Sequence, residues 1–161
     1  MQAFRWLFLV LPLLVTLPAR AQDVVSGPEK GSRVPALKVF DATGPHKDKK
    51  VDYAAERGKG ATVYVFVRAD AWDRPMARFL RKLDEAVRKE KDAYVVAVWL
   101  TDSPDKTKEY LPVAQQSLQF QATPLTCFTG GRNGPKGWNV NPDARLTAVA
   151  AYRGRVAAVF G

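Results

Sequence analysis

The chain has 161 residues, 47% of them hydrophobic, with 25 Lys and Arg against 16 Asp and Glu for a formal charge of +9. That length suits one domain, and the basic balance favours anionic partners such as acidic proteins, anionic lipid or wall polymer. The cations are spread along the chain without an arginine-rich run or a nucleic-acid motif, which argues against nucleic acid, and one cysteine, Cys127, excludes an intramolecular disulfide and a C-x-x-C redox cycle.

Arg5, the apolar stretch Leu7 to Leu17 and the A-x-A site Ala19-Arg20-Ala21 predict a secretory signal over residues 1–21. Roughly eleven apolar residues are too few for a bilayer span, which takes about 20. Cleavage before Gln22 removes Arg5 and Arg20, lowers the charge from +9 to +7, and leaves a chain expected in the periplasm or secreted. Residues 22–34, with Gly27, Pro28, Gly31 and Ser32, read as a flexible lead-in to a domain over 35–161.

Leu37 to Phe40 is a short strand candidate, and Asp41-Ala42-Thr43-Gly44-Pro45 signals a turn. His46 to Lys50 reads as a solvated loop; the lone His46 has no second His or Cys for a metal site. Val51 to Arg57 reads as a short helical turn. Residues 61–67 have the continuous apolar character of a strand covered on both faces. A helix follows over about 75–90, with Met76, Phe79, Leu80, Leu83 and Val87 at core spacing. Asp73 is placed to cap it, Pro75 is tolerated in its first turn, and Asp84 and Glu85 sit among the basic residues of the outer side.

A second buried strand is expected over 94–100. Ser103-Pro104 opens a helix to about Leu118 that contains Pro112, where one internal hydrogen bond is lost. Leu125 to Phe128 is another strand candidate. The loop 130–137, GGRNGPKG, lacks the Lys-Ser/Thr ending of a phosphate loop and reads as a plain turn. Residues 146–152 and 155–160 around Arg153-Gly154 form an antiparallel hairpin. The order β-α-β-α-β-β implies an α/β layered fold with parallel strands and an antiparallel edge.

Several segments, in this order, resemble the thioredoxin-like superfamily and its peroxiredoxin branch, the alkyl hydroperoxide reductase and thiol-specific antioxidant family. Gly31 to Leu37 with Asp41 and Gly44 is similar to the opening G-x-x-x-P strand and D-x-x-G turn. Val95 to Val98 leading to Asp102-Ser103-Pro104 is similar to the second core strand and its D-S turn. Leu118-Gln119-Phe120 with Pro124-Leu125, Trp138-Asn139-Val140 in place of Y-G-V, and Arg145-Leu146-Thr147 in place of R-x-T complete the resemblance over about 31–160. It implies a three-layer sandwich: a central mixed sheet with helices on its faces, a C-terminal hairpin and, as the sequence runs only to Gly161, no terminal helix.

The match fails at the turn before the first long helix. Against W-C-x-x-C, Trp72 and Pro75 agree while Asp73 and Met76 hold the cysteine positions. Against P-x-x-x-T/S-x-x-C, Arg68 replaces the proline, Trp72 the Thr or Ser, and Arg74 or Pro75 the cysteine. A carboxylate at Asp73 keeps the negative charge that a helix N-terminus favours, worth about 0.3–1 kcal/mol, but it cannot form a sulfenic acid or exchange a disulfide. The cis-proline slot of the family falls at Arg145-Leu146-Thr147 or at Pro124. Arg145 stands where the family's anion-orienting arginine is found, or else it caps a strand or pairs with Asp143.

The sequence therefore points to an exported, redox-inactive thioredoxin-like domain that binds another envelope or secreted protein, or a peptide, without cofactor, metal or catalytic residue. The binding residues are expected to be Trp72, Asp73, Arg74, Pro75, Met76, Arg145, Leu146 and Thr147, with Trp138 nearby; Trp72 either anchors a groove or lies under the helix. The competing reading is a thiol peroxidase or disulfide reductase using Cys127 with an external thiol. A third is a surface-charge role on anionic wall or lipid. An uncovered sheet face is a natural binding patch.

Overall fold

The computed structural model describes residues 25–161, so the expected leader lies outside the described residues. The elements are β1 (Lys38–Asp41), β2 (Lys49–Asp52), α1 (Tyr53–Glu56), β3 (Ala61–Arg68), α2 (Arg74–Val87), β4 (Ala93–Leu100), α3 (Pro104–Leu118), β5 (Leu125–Phe128), β6 (Leu146–Tyr152) and β7 (Arg155–Phe160). One seven-stranded sheet runs in the order β2-β1-β5-β4-β3-β6-β7. β3, β4 and β5 are parallel; β6 and β7 join antiparallel on one side, β1 and β2 on the other. The expected order is present as β3-α2-β4-α3-β6-β7, and β1, β2 and β5 widen the sheet.

Side-chain alternation along the central strands builds two cores. Val65, Val67, Val95, Ala97 and Trp99 face α2 and α3, which supply Met76, Leu80, Val87, Leu111 and Ala114. Tyr64, Phe66, Val96, Val98 and Leu100 face the other way, against Leu37, Tyr53 and Trp138. Strands buried on both sides need apolar residues at successive positions, which is why β3 and β4 read as continuous runs. Both crossover helices share one face because β3, β4 and β5 succeed one another in a single direction across the sheet and each crossover is right-handed.

Several local expectations are corrected. Lys49 and Lys50 are not loop: they begin β2, paired with Asp41 and Phe40. The fold there is held by Asp41, whose buried carboxylate accepts from the Thr43, Gly44 and His46 N–H groups and from the Tyr53 hydroxyl at 2.8 Å. A Cβ on Gly44 would stand 2.5 Å from Pro124 Cβ and 2.7 Å from Asp41 Oδ2, so the turn closes only around glycine.

From Val25 onward the polar N-terminal segment is held against the sheet. The Gly31 and Val34 N–H groups donate to Val156 and Gly154, Gly27 N–H donates to Asn139, and Ser26 Oγ lies 2.6 Å from Thr147 Oγ1. A Cβ on Gly27 would collide with Val159 Cγ1, so the close approach to β7 there needs glycine.

On α2, Met76, Leu80 and Val87 are buried, but Phe79 is 39% exposed and Leu83 is half-buried. The helix covers β3 and β4, and among the described residues no helix lies beside it over β6 and β7. Asp84, expected on the outer side, is buried. It accepts from the Gln121 and Ala122 N–H groups and meets Arg88 at 3.5 Å, so it ties the segment after α3 to α2. Arg153 and Gly154, with φ of 48° and 71°, make the tight turn between β6 and β7.

Candidate functional site

β3 ends in the interior at Val67, and the chain leaves the sheet through Arg68 and a single 3-10 turn, Ala69–Ala71. Arg68 fixes this exit. Its Nε and Nη2 grip both oxygens of Asp70 at 3.0 and 2.6 Å, Nη1 donates to the Pro142 carbonyl, and its N–H donates to the Arg145 carbonyl. The turn after β3 and the loop before β6 are thereby stitched together. The sequence marks Arg68 only as the residue in place of the motif's proline, and Asp70 not at all; a fork-shaped cation two residues from a carboxylate was the available signal for their pairing.

Asp73 is the N-cap of α2. Oδ1 accepts from the Met76 N–H at 3.0 Å, and Oδ2 accepts from Arg145 Nη2 at 2.8 Å. The same Nη2 donates to the Ala71 carbonyl at 3.1 Å. Arg145 therefore pairs with Asp73 and not with Asp143. The pair is part-exposed, with side chains 31% and 62% accessible, which limits its worth to about 0.2–1 kcal/mol. Pro75 has no N–H and Ala77 donates to the Asp73 carbonyl. Among the described residues the head of α2 thus keeps one open donor, the Arg74 N–H. Its anion-binding capacity is taken up by its own carboxylate.

The turn divides the expected binding residues into two groups. Trp72 leans towards α3: its ring meets Trp99 edge-on at 5.0 Å and its Nε1 donates to the Tyr110 hydroxyl at 3.1 Å. With Arg74 it borders a cleft of about 380 Å³ beside Tyr110 and Val113. Tyr110, 44% exposed, is a further residue the sequence reading missed; its place one turn before Val113 on α3 was the only hint. Pro75, Met76, Arg145 and Leu146 instead line a larger groove of about 670 Å³ on the opposite side of α2. Asp73 borders both.

That larger groove is apolar. Phe79 and Leu83 of α2 form one wall, Val63, Ala148 and Ala150 form the floor, and Phe160 stands on the outer side. Thr147 does not take part: it is fully buried on the opposite face and bonded to Ser26, because neighbours in a strand point to opposite sides. Trp138 is likewise remote, buried against Tyr64 and Phe66 with its Nε1 donating to the Ala36 carbonyl. Of the two segments weighed for the cis-proline slot, the one holding Arg145 adjoins the turn. Pro124 precedes β5, where its carbonyl accepts from Ala97.

Cys127 lies in β5 opposite Phe40 and Trp99, with no exposed surface. Burial pushes its thiol up to about 11, against a smaller lowering by Lys108. A buried thiol kept protonated is a poor nucleophile. Among the described residues no group of three or more His, Cys, Asp or Glu is placed to hold a metal, and no helix is long and apolar enough to cross a membrane. His46 pairs with Glu56 at 2.7 Å.

No family model and no curated protein matches the chain. Solved structures do. A thiol-disulfide oxidoreductase from Bacteroides fragilis is similar at a TM-score of 0.59 and 16% identity, over 80% of this chain and 89% of that one. A peroxiredoxin-like protein from Aquifex aeolicus gives 0.53 and 18%, over 85% and 78%. A yeast mitochondrial 1-Cys peroxiredoxin gives 0.58 and 10%, over 82% and 66%. At these identities the likeness establishes the fold, which is thioredoxin-like with a C-terminal antiparallel hairpin.

Proposed function

We infer that this thioredoxin-like chain is an exported domain that has given up thiol chemistry and binds a protein or peptide of the envelope or medium at the turn before α2. The observation that carries this reading is the Asp73–Arg145 pair at the head of α2, 2.8 Å apart, on the residue that aligns with the first cysteine of the thioredoxin motif. A carboxylate held there by a helix N–H and a guanidinium can neither be oxidised nor attack a disulfide. The pair is half open to solvent and flanked on each side by a cleft, an arrangement suited to recognition. Export is supported by the leader-like first 21 residues.

The alternative, an oxidoreductase working through Cys127, is not favoured: that thiol is enclosed in the core and held protonated by burial. The deciding experiment is a peroxide-consumption and insulin-disulfide assay on the protein beside its Asp73→Cys/Met76→Cys variant. The expected result is no turnover in the wild type and measurable disulfide reduction in the variant. Wild-type turnover that disappears in Cys127→Ser would overturn the reading.

A further inference from the structure

The strip of sheet beyond α2 is two strands wide. At about 4.8 Å between strands, β6 and β7 span roughly 10 Å, which is the spacing between neighbouring packed helices and the width of one helix. Its floor is low, because Ala148 and Ala150 of β6 lie on this side and Ala158 of β7 is paired with Ala150. Its walls are high: Phe79 and Leu83 on the α2 side and Phe160, 65% exposed, on the other. A trough with a shallow alanine floor between aromatic walls receives a helix more readily than an extended strand, which would leave much of a roughly 10 Å width unfilled.

The charge around the trough selects among helices. Arg78 and Lys82 fall, by helical periodicity, on the outer flank of α2 adjoining Phe79 and Leu83. Lys82, its side chain 78% accessible, meets Glu85, whereas Arg78 has no carboxylate within 4 Å among the described residues. Among the described residues the only acid lining the trough, Asp73, is already paired with Arg145. An incoming helix therefore meets the unpaired Arg78 and the exposed Lys82 along one side.

We propose that the trough between α2 and the β6–β7 hairpin docks an amphipathic helix of another protein, its apolar stripe on Ala148 and Ala150 and a row of Asp or Glu facing Arg78 and Lys82 of α2. This deepens the binding reading above, on which it rests, but it uses different side chains from Trp72 and Arg74.

The test uses two labelled 18-residue peptides with the same Leu stripe at i, i+3, i+4 and i+7, one flanked by Glu and the other by Lys, in fluorescence anisotropy with the purified protein at low salt. The Glu peptide is expected to bind at least tenfold more tightly than its Lys twin, with the difference collapsing in 0.5 M salt. Filling the floor with Ala150→Trp is expected to abolish binding, and Arg78→Glu/Lys82→Glu to invert the preference. Far-ultraviolet circular dichroism checks that each variant is folded, and the charge-reversal pair, on an exposed helix surface, decides the matter if Ala150→Trp unfolds. Equal binding of the two peptides, or no binding of either, would overturn the proposal. So would a self-associated wild type that Ala150→Trp makes monomeric, since the occupant would then be a second copy. Loss of peptide binding in Trp72→Ala/Arg74→Ala but not in Ala150→Trp would overturn the trough and leave the turn standing as the binding surface. Retention in the first and loss in the second supports the trough.

Discussion

Asp41 closes β1 at a turn and Asp73 opens α2, and both accept backbone N–H groups, yet they hold opposite positions in the molecule. Asp41 is fully buried and its oxygens are taken by three N–H groups and the Tyr53 hydroxyl. Asp73 is part-exposed and takes one N–H, its other oxygen being held by the outward-lying Arg145. A carboxylate satisfied wholly from within fixes a shape, and losing it orphans several buried donors. One completed by a solvent-exposed cation on another segment can be released at low cost. The first is framework; the second is a contact that a partner can replace.

This contrast is open to attack in graded steps. Asp41→Ala is expected to cost the most, about 4 kcal/mol, since it leaves buried donors and the Tyr53 hydroxyl unpaired; urea unfolding at pH 7 measures it, and a loss under 1 kcal/mol would erase the distinction. Asp84→Ala should follow at about 3 kcal/mol, because Gln121 and Ala122 lose their acceptor. Asp73→Ala is expected to cost about 1 kcal/mol, the ordinary worth of an N-cap. Arg145→Ala should cost less still, about 0.5 kcal/mol, and less again in high salt.

The pH axis separates interior from surface in another way. The Cys127 thiol is raised from 9.0 to about 11 by burial, and Tyr53 is raised from 10.0 by burial and by its bond to Asp41. The folded chain keeps these protons after the unfolded chain has begun to lose them, so their stabilisation is complete below about pH 9 and declines as pH rises above it. Unfolding free energies at pH 7.5, 9 and 10.5 are expected to be level and then falling, with Cys127→Ala flattening the interval from about 9 to 11. Iodoacetamide at pH 8 should label Cys127 only after denaturant is added; rapid labelling of the native protein would contradict its enclosure.

How much of this was legible beforehand depended on the range of the interaction. Periodicity located β3, α2, β4, α3 and the final hairpin, because burial on one or two faces leaves its mark within a dozen residues. It also placed Asp73 at the head of α2, since capping is local. It could not assign Phe79 and Leu83 to an open trough in place of a closed core, because helical spacing reports which side is apolar and not whether anything lies on it. Asp84 misled for the same reason: its partners, Gln121 and Ala122, are nearly forty positions away. The only acid that sequence proximity offers Arg145 as a partner is Asp143, whereas the sheet brings it Asp73 from across β3 and β6. Thr147 was grouped with Arg145 by adjacency, and the pleat sends it to the far side.

Ser26 gives the N-terminal segment a hold on the loop that carries Arg145. Its hydroxyl lies 2.6 Å from Thr147 Oγ1 and accepts from the Asn141 N–H at 2.9 Å, so a single side chain tethers both ends of the loop that carries Arg145. Removing that hydroxyl, as in Ser26→Ala, frees both ends of the loop at once and is expected to loosen Arg145 from Asp73 without touching either. The exposed ion pair is thus anchored from behind by one buried serine on the segment that leads into the sheet.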